Sequence, residues 1–131
     1  MELSERAGVA IECYSGWNSL IEPLVEYVEK YNENKAEDEK IVITQIKEKF
    51  GGLRFYANNI TDELRDKIAE AESDSYNVCE FCGTRKNVGH TSDWIITCCK
   101  DCAKKYVEKK HFDVKWRSAK TKKVEVIKYE K

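Results

Sequence analysis

The sequence has few of the features that direct a chain into a membrane or out of the cell. Its 131 residues include a single proline and two histidines, and no apolar run approaches the roughly 18 residues that a membrane-spanning helix needs. The start, Met1 to Arg6, has neither the basic nor the apolar region of a signal peptide. We therefore expect no membrane contact and a cytoplasmic location.

Sequence motifs of the common enzyme classes are also missing. There is no phosphate-binding loop, no Gly-x-Ser-x-Gly elbow and no His-Glu-x-x-His pair. Only His90 and His111 are available as histidine general bases. The sequence therefore favours a non-enzymatic function.

Charge is distributed unevenly along the chain. Hydrophobic residues make up 41% and charged residues 36%, which is typical of a folded protein with a highly charged surface. The net charge is −1, but residues 1–78 carry −8 and residues 79–131 carry +7. We interpret residues 1–78 as an acidic α+β lobe and residues 79–131 as a basic module packed on it in one compact unit.

The first half of the chain predicts a helix, a β-hairpin and a second helix. Apolar residues at helical spacing predict a helix over 17–30 with Ser15 or Asn18 as its candidate cap, while Pro23 favours an alternative first turn near Glu22. β-branched and aromatic residues over 41–57 predict a hairpin, with Gly51-Gly52 as its turn. Thr61 suits the N-cap of a helix that ends near residue 75.

The second half predicts a cysteine-rich module and a terminal hairpin. Residues 94–97 read as a strand, and residues 100–110 read as a helix. Two further strand-like runs, 112–116 and 124–129, predict the hairpin. The predicted fold class is therefore α+β.

Four of the six cysteines form two Cys-x-x-Cys pairs, Cys79 with Cys82 and Cys99 with Cys102. Two such pairs supply the four thiolates of a tetrahedral zinc site. A disulfide framework is less favoured because no secretory signal is recognised. We predict one structural Zn²⁺ bound by these four residues, which organises the C-terminal half of the chain.

Other residues compete for a place in this site. Cys98 could replace Cys99, but the gap from Cys99 to Cys102 matches the spacing of the first pair. Strand alternation then points Cys98 into the core, where a free cysteine packs as a small hydrophobe. His90 lies between the pairs, although four thiolates leave no need for it. Cys13 is expected to be a buried core thiol.

The order of ligand pair, hairpin and ligand-bearing helix resembles the treble-clef class of zinc fingers. That class includes DNA binders, ribosomal proteins, nucleases and protein-interaction modules, so it fixes no function. A treble-clef nuclease would place a catalytic histidine where His90 lies. Its partner histidine in the next helix is missing, unless His111 takes that role. Nuclease activity is therefore a minor alternative.

A longer string also carries a resemblance. Residues 45–56, QIKEKFGGLRFY, followed by a helix and Cys-x-x-Cys-Gly, resemble small uncharacterised zinc-binding proteins of bacteriophages and bacteria. The resemblance covers residues 41–102. It implies a phage- or prophage-encoded protein in the cytoplasm of a bacterial host. The last ligand of those proteins is often histidine, where this chain has Cys102.

Two binding hypotheses follow. The favoured one is contact with a host protein, for which Arg54 and Tyr56 on one strand face are candidate contacts. The alternative is nucleic-acid binding through the basic half, because lysines with an interleaved aromatic residue suit phosphate contact and base stacking. The residues of that second set are Lys104, Lys105, Lys109, Trp116, Arg117, Lys120, Lys122 and Lys123.

Overall fold

The computed structural model describes residues 1–130 and confirms the α+β fold over that range. Its four α-helices are α1 (Leu3–Ala7), α2 (Asn18–Asn32), α3 (Asp62–Ser75) and α4 (Lys100–Lys110). Its seven strands are β1 (Ile11–Glu12), β2 (Val42–Lys49), β3 (Gly52–Asn58), β4 (Val88–Thr91), β5 (Thr97–Cys99), β6 (Val114–Ser118) and β7 (Val124–Ile127). None of these helices is both long and apolar enough to cross a membrane.

The predicted helix–hairpin–helix unit forms around a three-stranded sheet of order β1-β2-β3. β1 runs parallel to β2, and β2 pairs with β3 in antiparallel register. Helices α2 and α3 contribute the other side of the core. The largest fully buried side chains of this core are Trp17, Ile21, Val25, Ile41, Ile46, Leu53 and Leu64.

Helix α2 begins earlier than Pro23 predicts. It starts at Asn18, directly after a 3-10 turn at Ser15–Trp17, so Pro23 lies inside the helix. Proline at this position removes one intrahelical hydrogen bond. Burial offsets that cost, because Trp17 and Ile21 are fully enclosed and the indole N–H of Trp17 donates to the carbonyl oxygen of Val78 at 2.8 Å. The helix predicted over 17–30 is therefore confirmed, and the alternative start near Glu22 is wrong.

The hairpin turn lies one residue earlier than predicted. Lys49 pairs with Gly52, so the two-residue turn is Phe50-Gly51, with φ angles of 52° and 81°. Positive φ at both positions is the geometry of a type I′ turn. Gly52 is instead the first residue of β3, where a β-carbon would clash with the ring of Tyr76. The second glycine is required by packing and not by the turn.

Helix α3 covers the outer edge of β3. Its N-cap is Thr61, as predicted, whose hydroxyl accepts the backbone N–H of Leu64. Near its other end, Ser75 accepts the N–H of Leu53 and Glu72 accepts the N–H of Phe55, both at 2.9 Å. These side chains occupy backbone donors of an edge strand that would otherwise be open to pairing.

The C-terminal part folds around a four-stranded sheet of order β5-β4-β6-β7. β6 and β7 form the predicted terminal hairpin. Helix α4 packs on this sheet through Ala103 and Val107. The predicted strand at 94–97 is only partly correct, because β5 begins at Thr97. The hydroxyl of Thr91 donates to the carbonyl of Trp94 and holds residues 91–94 in a turn before β5 begins.

The buried apolar residues form two hydrophobic clusters, and the chain passes from the first to the second between Val78 and Cys79. We call residues 1–78 the N-terminal lobe and residues 79–130 the C-terminal lobe. Hydrogen bonds join them: Gly16 N–H donates to the carbonyl of Glu80 at 2.8 Å, and the hydroxyl of Thr97 donates to the carbonyl of Gly51 at 2.5 Å. The boundary between the clusters passes beside the first cysteine pair.

Candidate metal centre

The structure brings the four predicted cysteines together. The Sγ atoms of Cys79, Cys82, Cys99 and Cys102 all lie within 4.8 Å of one another. The Sγ atoms of Cys82 and Cys99 are 3.8 Å apart. A tetrahedral zinc site with metal–sulfur bonds of about 2.3 Å requires sulfur atoms about 3.8 Å apart. The cluster therefore has the donor set and the size to hold one metal ion.

A tight turn positions the first pair. Cys79 N–H donates to the carbonyl of Thr84, and Gly83 N–H donates to the carbonyl of Cys79, both at 2.9 Å. Gly83 has a φ of 80°, which glycine adopts without strain. Behind this turn lies Gly16, where a β-carbon would clash with the carbonyl oxygens of Cys79 and Glu80. The absence of a side chain at Gly16 lets the N-terminal lobe support the turn.

The start of helix α4 positions the second pair. Cys99 is the N-cap, and its Sγ accepts the backbone N–H of Cys102 at 3.4 Å. Free N–H groups and the positive end of the helix dipole stabilise thiolate charge there. Cys102 lies in the first helical turn, as the sequence predicts.

Four thiols packed this closely cannot all ionise without a cation. Burial raises the pKa of Cys102 well above its ordinary value, and hydrogen bonding to Cys99 adds to the effect. Burial also opposes ionisation of Cys79, yet backbone N–H groups, including that of Cys82, bring its pKa below the ordinary value. A bound divalent cation supplies the missing positive charge and releases protons as it binds.

The competing residues lie outside the cluster. Cys98 is buried in the C-terminal core, as predicted, and burial raises the pKa of its thiol to about 12. Cys13 is only partly buried, at the edge of the N-terminal core. His90 lies on β4, where its Nε2–H donates to the carbonyl of Tyr76 at 3.1 Å. His111 ends α4 and stacks on Tyr129.

Trp116 is placed differently from the prediction. It is 3% exposed, and its indole N–H donates to the carbonyl of Cys98 at 3.0 Å. A buried side chain cannot stack on a base, so Trp116 must be removed from the nucleic-acid set. The sequence suggested an exposed Trp116 because its neighbours are basic. Side chains alternate along a strand, however, and the side chain of Trp116 points inward.

The basic residues of that set are spread over several surfaces. Lys105 and Lys109 line a groove beside the cysteine cluster. Lys104 lies in a separate depression that also contains Glu108 and Glu125, and Lys120 lies in a third. Arg117 is on β6, while Lys122 and Lys123 fall between β6 and β7. Their role in nucleic-acid binding stays a prediction.

The predicted protein contacts lie on the sheet of the N-terminal lobe. Tyr56 is exposed and lines a shallow depression of about 560 Å³ with Val9 and Glu12. Arg54 is half-buried, and its guanidinium donates to the carbonyl of Leu53 at 3.1 Å and to the hydroxyl of Tyr76. Those bonds hold Arg54 against its own lobe and leave Tyr56 as the freer of the two.

Sequence reasoning missed the groove beside the cluster. It measures about 520 Å³ and includes Tyr14, Glu80 and Trp94 among its lining residues. Burial raises the pKa of Glu80 to about 7, although a hydrogen bond from the N–H of Tyr14 opposes the shift. No pattern in the sequence pointed to this groove, because its lining comes from residues of both lobes.

Comparison with protein-family models, with curated proteins and with solved structures finds no match to this chain. The fold and the site therefore define this chain as an α+β protein with a four-cysteine cluster that is able to hold one metal ion.

Proposed function

We propose that this chain is a zinc-stabilised binding protein that contacts another protein and performs no catalysis. The observation that carries the proposal is the pair of exposed aromatic side chains beside the cysteine cluster, Tyr14 at 61% and Trp94 at 75% exposure. Both line the groove into which Cys82 and Cys102 also face. Exposed aromatic residues on a rigid support are typical anchors of protein interfaces.

Zinc is the metal that the donor set favours. Four thiolates in tetrahedral arrangement select zinc or iron–sulfur chemistry, and a single ion with four protein ligands retains no open position for a substrate water. In that arrangement the metal serves folding. The ligand-bearing turn followed by the ligand-bearing helix supports a treble-clef-like module.

The resemblance of residues 45–56 supports a further part of the proposal. By that resemblance the chain is encoded by a phage or prophage, and its partner is a protein of the bacterial host cytoplasm. The alternative, nucleic-acid binding, is supported by Lys105 and Lys109 at the groove. It is weakened by the burial of Trp116 and by the spread of the other basic residues.

Affinity capture tests the proposal. Zinc-loaded protein and a Trp94→Ser variant are immobilised and exposed to bacterial lysate with and without nuclease treatment, and bound proteins are quantified by mass spectrometry. We expect a defined partner on the wild type and at least about tenfold less of it on the variant, since an anchor residue of an interface contributes about 2 kcal/mol or more. Equal capture by both would contradict the proposal. Binding that disappears with nuclease treatment would favour nucleic acid.

A further inference from the structure

The groove beside the cysteine cluster has walls from both lobes. Tyr14 and Glu48 come from the N-terminal lobe, and Glu80, Phe81 and Trp94 come from the C-terminal lobe. The exposed face of α4 forms the remaining rim, with Lys105, Lys109 and Lys110. Because each wall belongs to a different lobe, the groove exists only when the two are packed together.

Glu80 supplies one of the two carboxylates of this groove. It is 5% exposed, and its Oε2 accepts the backbone N–H of Tyr14 at 3.2 Å. Within residues 1–130 its other oxygen has no hydrogen-bond partner, and no cation pairs with the carboxylate. Every fully enclosed side-chain oxygen in that range is bonded. The free oxygen of Glu80 is therefore not fully enclosed, and Glu80 is one of the residues that line the groove.

Glu48 adds a second carboxylate. Its Oε2 accepts the N–H of Gly51 at 2.8 Å, and within residues 1–130 it also has no cationic partner. Two carboxylates facing one partly enclosed space repel each other in an environment of low dielectric. A positive charge placed between them removes that repulsion and gains two charge-assisted hydrogen bonds.

Aromatic rings surround this pair of carboxylates. The rings of Tyr14 and Phe81 lie with centroids 4.7 Å apart, and Trp94 is exposed at the same groove. Aromatic faces attract cations and also cover the aliphatic stem of a long basic side chain. Carboxylates with neighbouring aromatic rings are the chemistry that recognises lysine or arginine.

We propose that this groove receives a lysine or arginine side chain of a partner protein, with its charged group between the carboxylates of Glu48 and Glu80. The aliphatic stem packs on Tyr14 and Trp94. The inference rests on the proposed protein-binding function and adds to it the chemistry of the partner segment.

The lysines of α4 refine the description of the partner. A zinc ion with four thiolates carries a net charge of about −2, which offsets much of the positive charge of Lys105 and Lys109. A purely acidic peptide fits less well, because Glu48 and Glu80 would face it without a cation.

Trp94 provides a direct readout. The chain has three tryptophans, and the other two, Trp17 and Trp116, are buried at 0% and 3% exposure. A change in the exposed tryptophan emission therefore reports on the surroundings of Trp94, which also lines a second depression with Phe112. The carboxylate variants described below assign the change to the groove. We would titrate zinc-loaded protein with pentalysine and, separately, with pentaglutamate and oligothymidine. We expect a saturable blue shift with pentalysine alone.

Matched variants assign the effect to the two carboxylates. Glu80→Gln and Glu48→Gln should each weaken pentalysine binding by about tenfold, since each removes one charge-assisted bond. Glu70→Gln removes the same charge from the exposed face of α3 and should leave affinity unchanged. Metal content and near-ultraviolet circular dichroism confirm that each variant is folded. If Glu80→Gln fails to fold, Glu48→Gln decides the question alone.

Three outcomes would overturn the inference. They are wild-type affinity for pentalysine in a folded Glu48→Gln variant, no saturable shift with pentalysine, and a saturable shift with pentaglutamate or oligothymidine instead. If one of these outcomes is seen and the protein still captures its partner from lysate, only the specificity for a basic residue is rejected. If capture from lysate is lost as well, the proposed protein-binding function is also rejected.

Discussion

The two lobes are stabilised in different ways. The N-terminal lobe buries a large cluster of aliphatic and aromatic side chains from α2, α3 and its sheet. The C-terminal cluster is smaller, and its members include Cys79, Cys98 and Cys99. A small core contributes little free energy by itself, so small domains commonly depend on a metal or a disulfide. We therefore expect metal dependence to be confined to the C-terminal lobe.

The largest expected effect comes from removing one ligand. Cys82→Ser should abolish metal binding and unfold the C-terminal lobe, because the apparent binding free energy of a structural zinc, about 10–16 kcal/mol, is largely folding free energy. Hydrogen exchange should show lost protection in α4 and β4, with β2 and β3 still protected. Cys13→Ser is the control and should retain one metal per chain. Equal loss of protection in both lobes would contradict a confined effect.

A cavity in the N-terminal core should act independently of the metal. Leu53→Ala removes a fully buried side chain and should lower the free energy of unfolding by about 2–5 kcal/mol. Urea denaturation followed in that lobe measures it, with and without a chelator. Val42→Ala, at an exposed position of β2, should change stability by under about 0.5 kcal/mol. A cost for Leu53→Ala that disappears on chelation would show that the lobes are not independent.

The junction between the lobes should give a smaller effect. Thr97→Val removes the hydroxyl that donates to Gly51 and leaves that carbonyl without this donor, at a cost of about 1–3 kcal/mol. Thermal unfolding of the holoprotein is the measurement. Thr44→Val, at an exposed site on β2, serves as the control and should be nearly neutral. A neutral Thr97→Val would mean that this hydrogen bond does not couple the lobes.

The smallest expected effect comes from the N-cap of α3, where the hydroxyl of Thr61 also lies 2.7 Å from the hydroxyl of Tyr27 on α2. Thr61→Ala removes the N-cap of α3 and should cost about 1 kcal/mol. Thr61→Ser keeps the capping oxygen and should recover most of that loss in the same urea titration. If both substitutions cost the same, the lost methyl group and not the cap explains the destabilisation.

Local chemistry made part of this fold predictable. The cysteine spacing identified the four clustered residues, and Thr61 marked the start of α3 because a hydroxyl there satisfies a free N–H group. Strand alternation placed Cys98 correctly in the core. The cap and the alternation depend on residues within a few positions of one another, and the two cysteine pairs are recognised because each has the same short spacing.

The errors arise where distant residues decide the outcome. Helix α2 extends before Pro23 because Trp17 is enclosed by the body of the lobe. Gly52 is required by Tyr76, which lies on the far side of α3 in the sequence. The groove joins Glu48 to Glu80 across the lobe boundary. No local pattern reports such contacts.

One measurement tests the central claim directly. Purified protein is analysed for bound metal, treated with a chelator, and followed by hydrogen exchange in both lobes. We predict one zinc per chain, with selective loss of protection in the C-terminal lobe when it is removed. Well under one metal per chain, or unchanged protection around the four cysteines after chelation, would contradict the account.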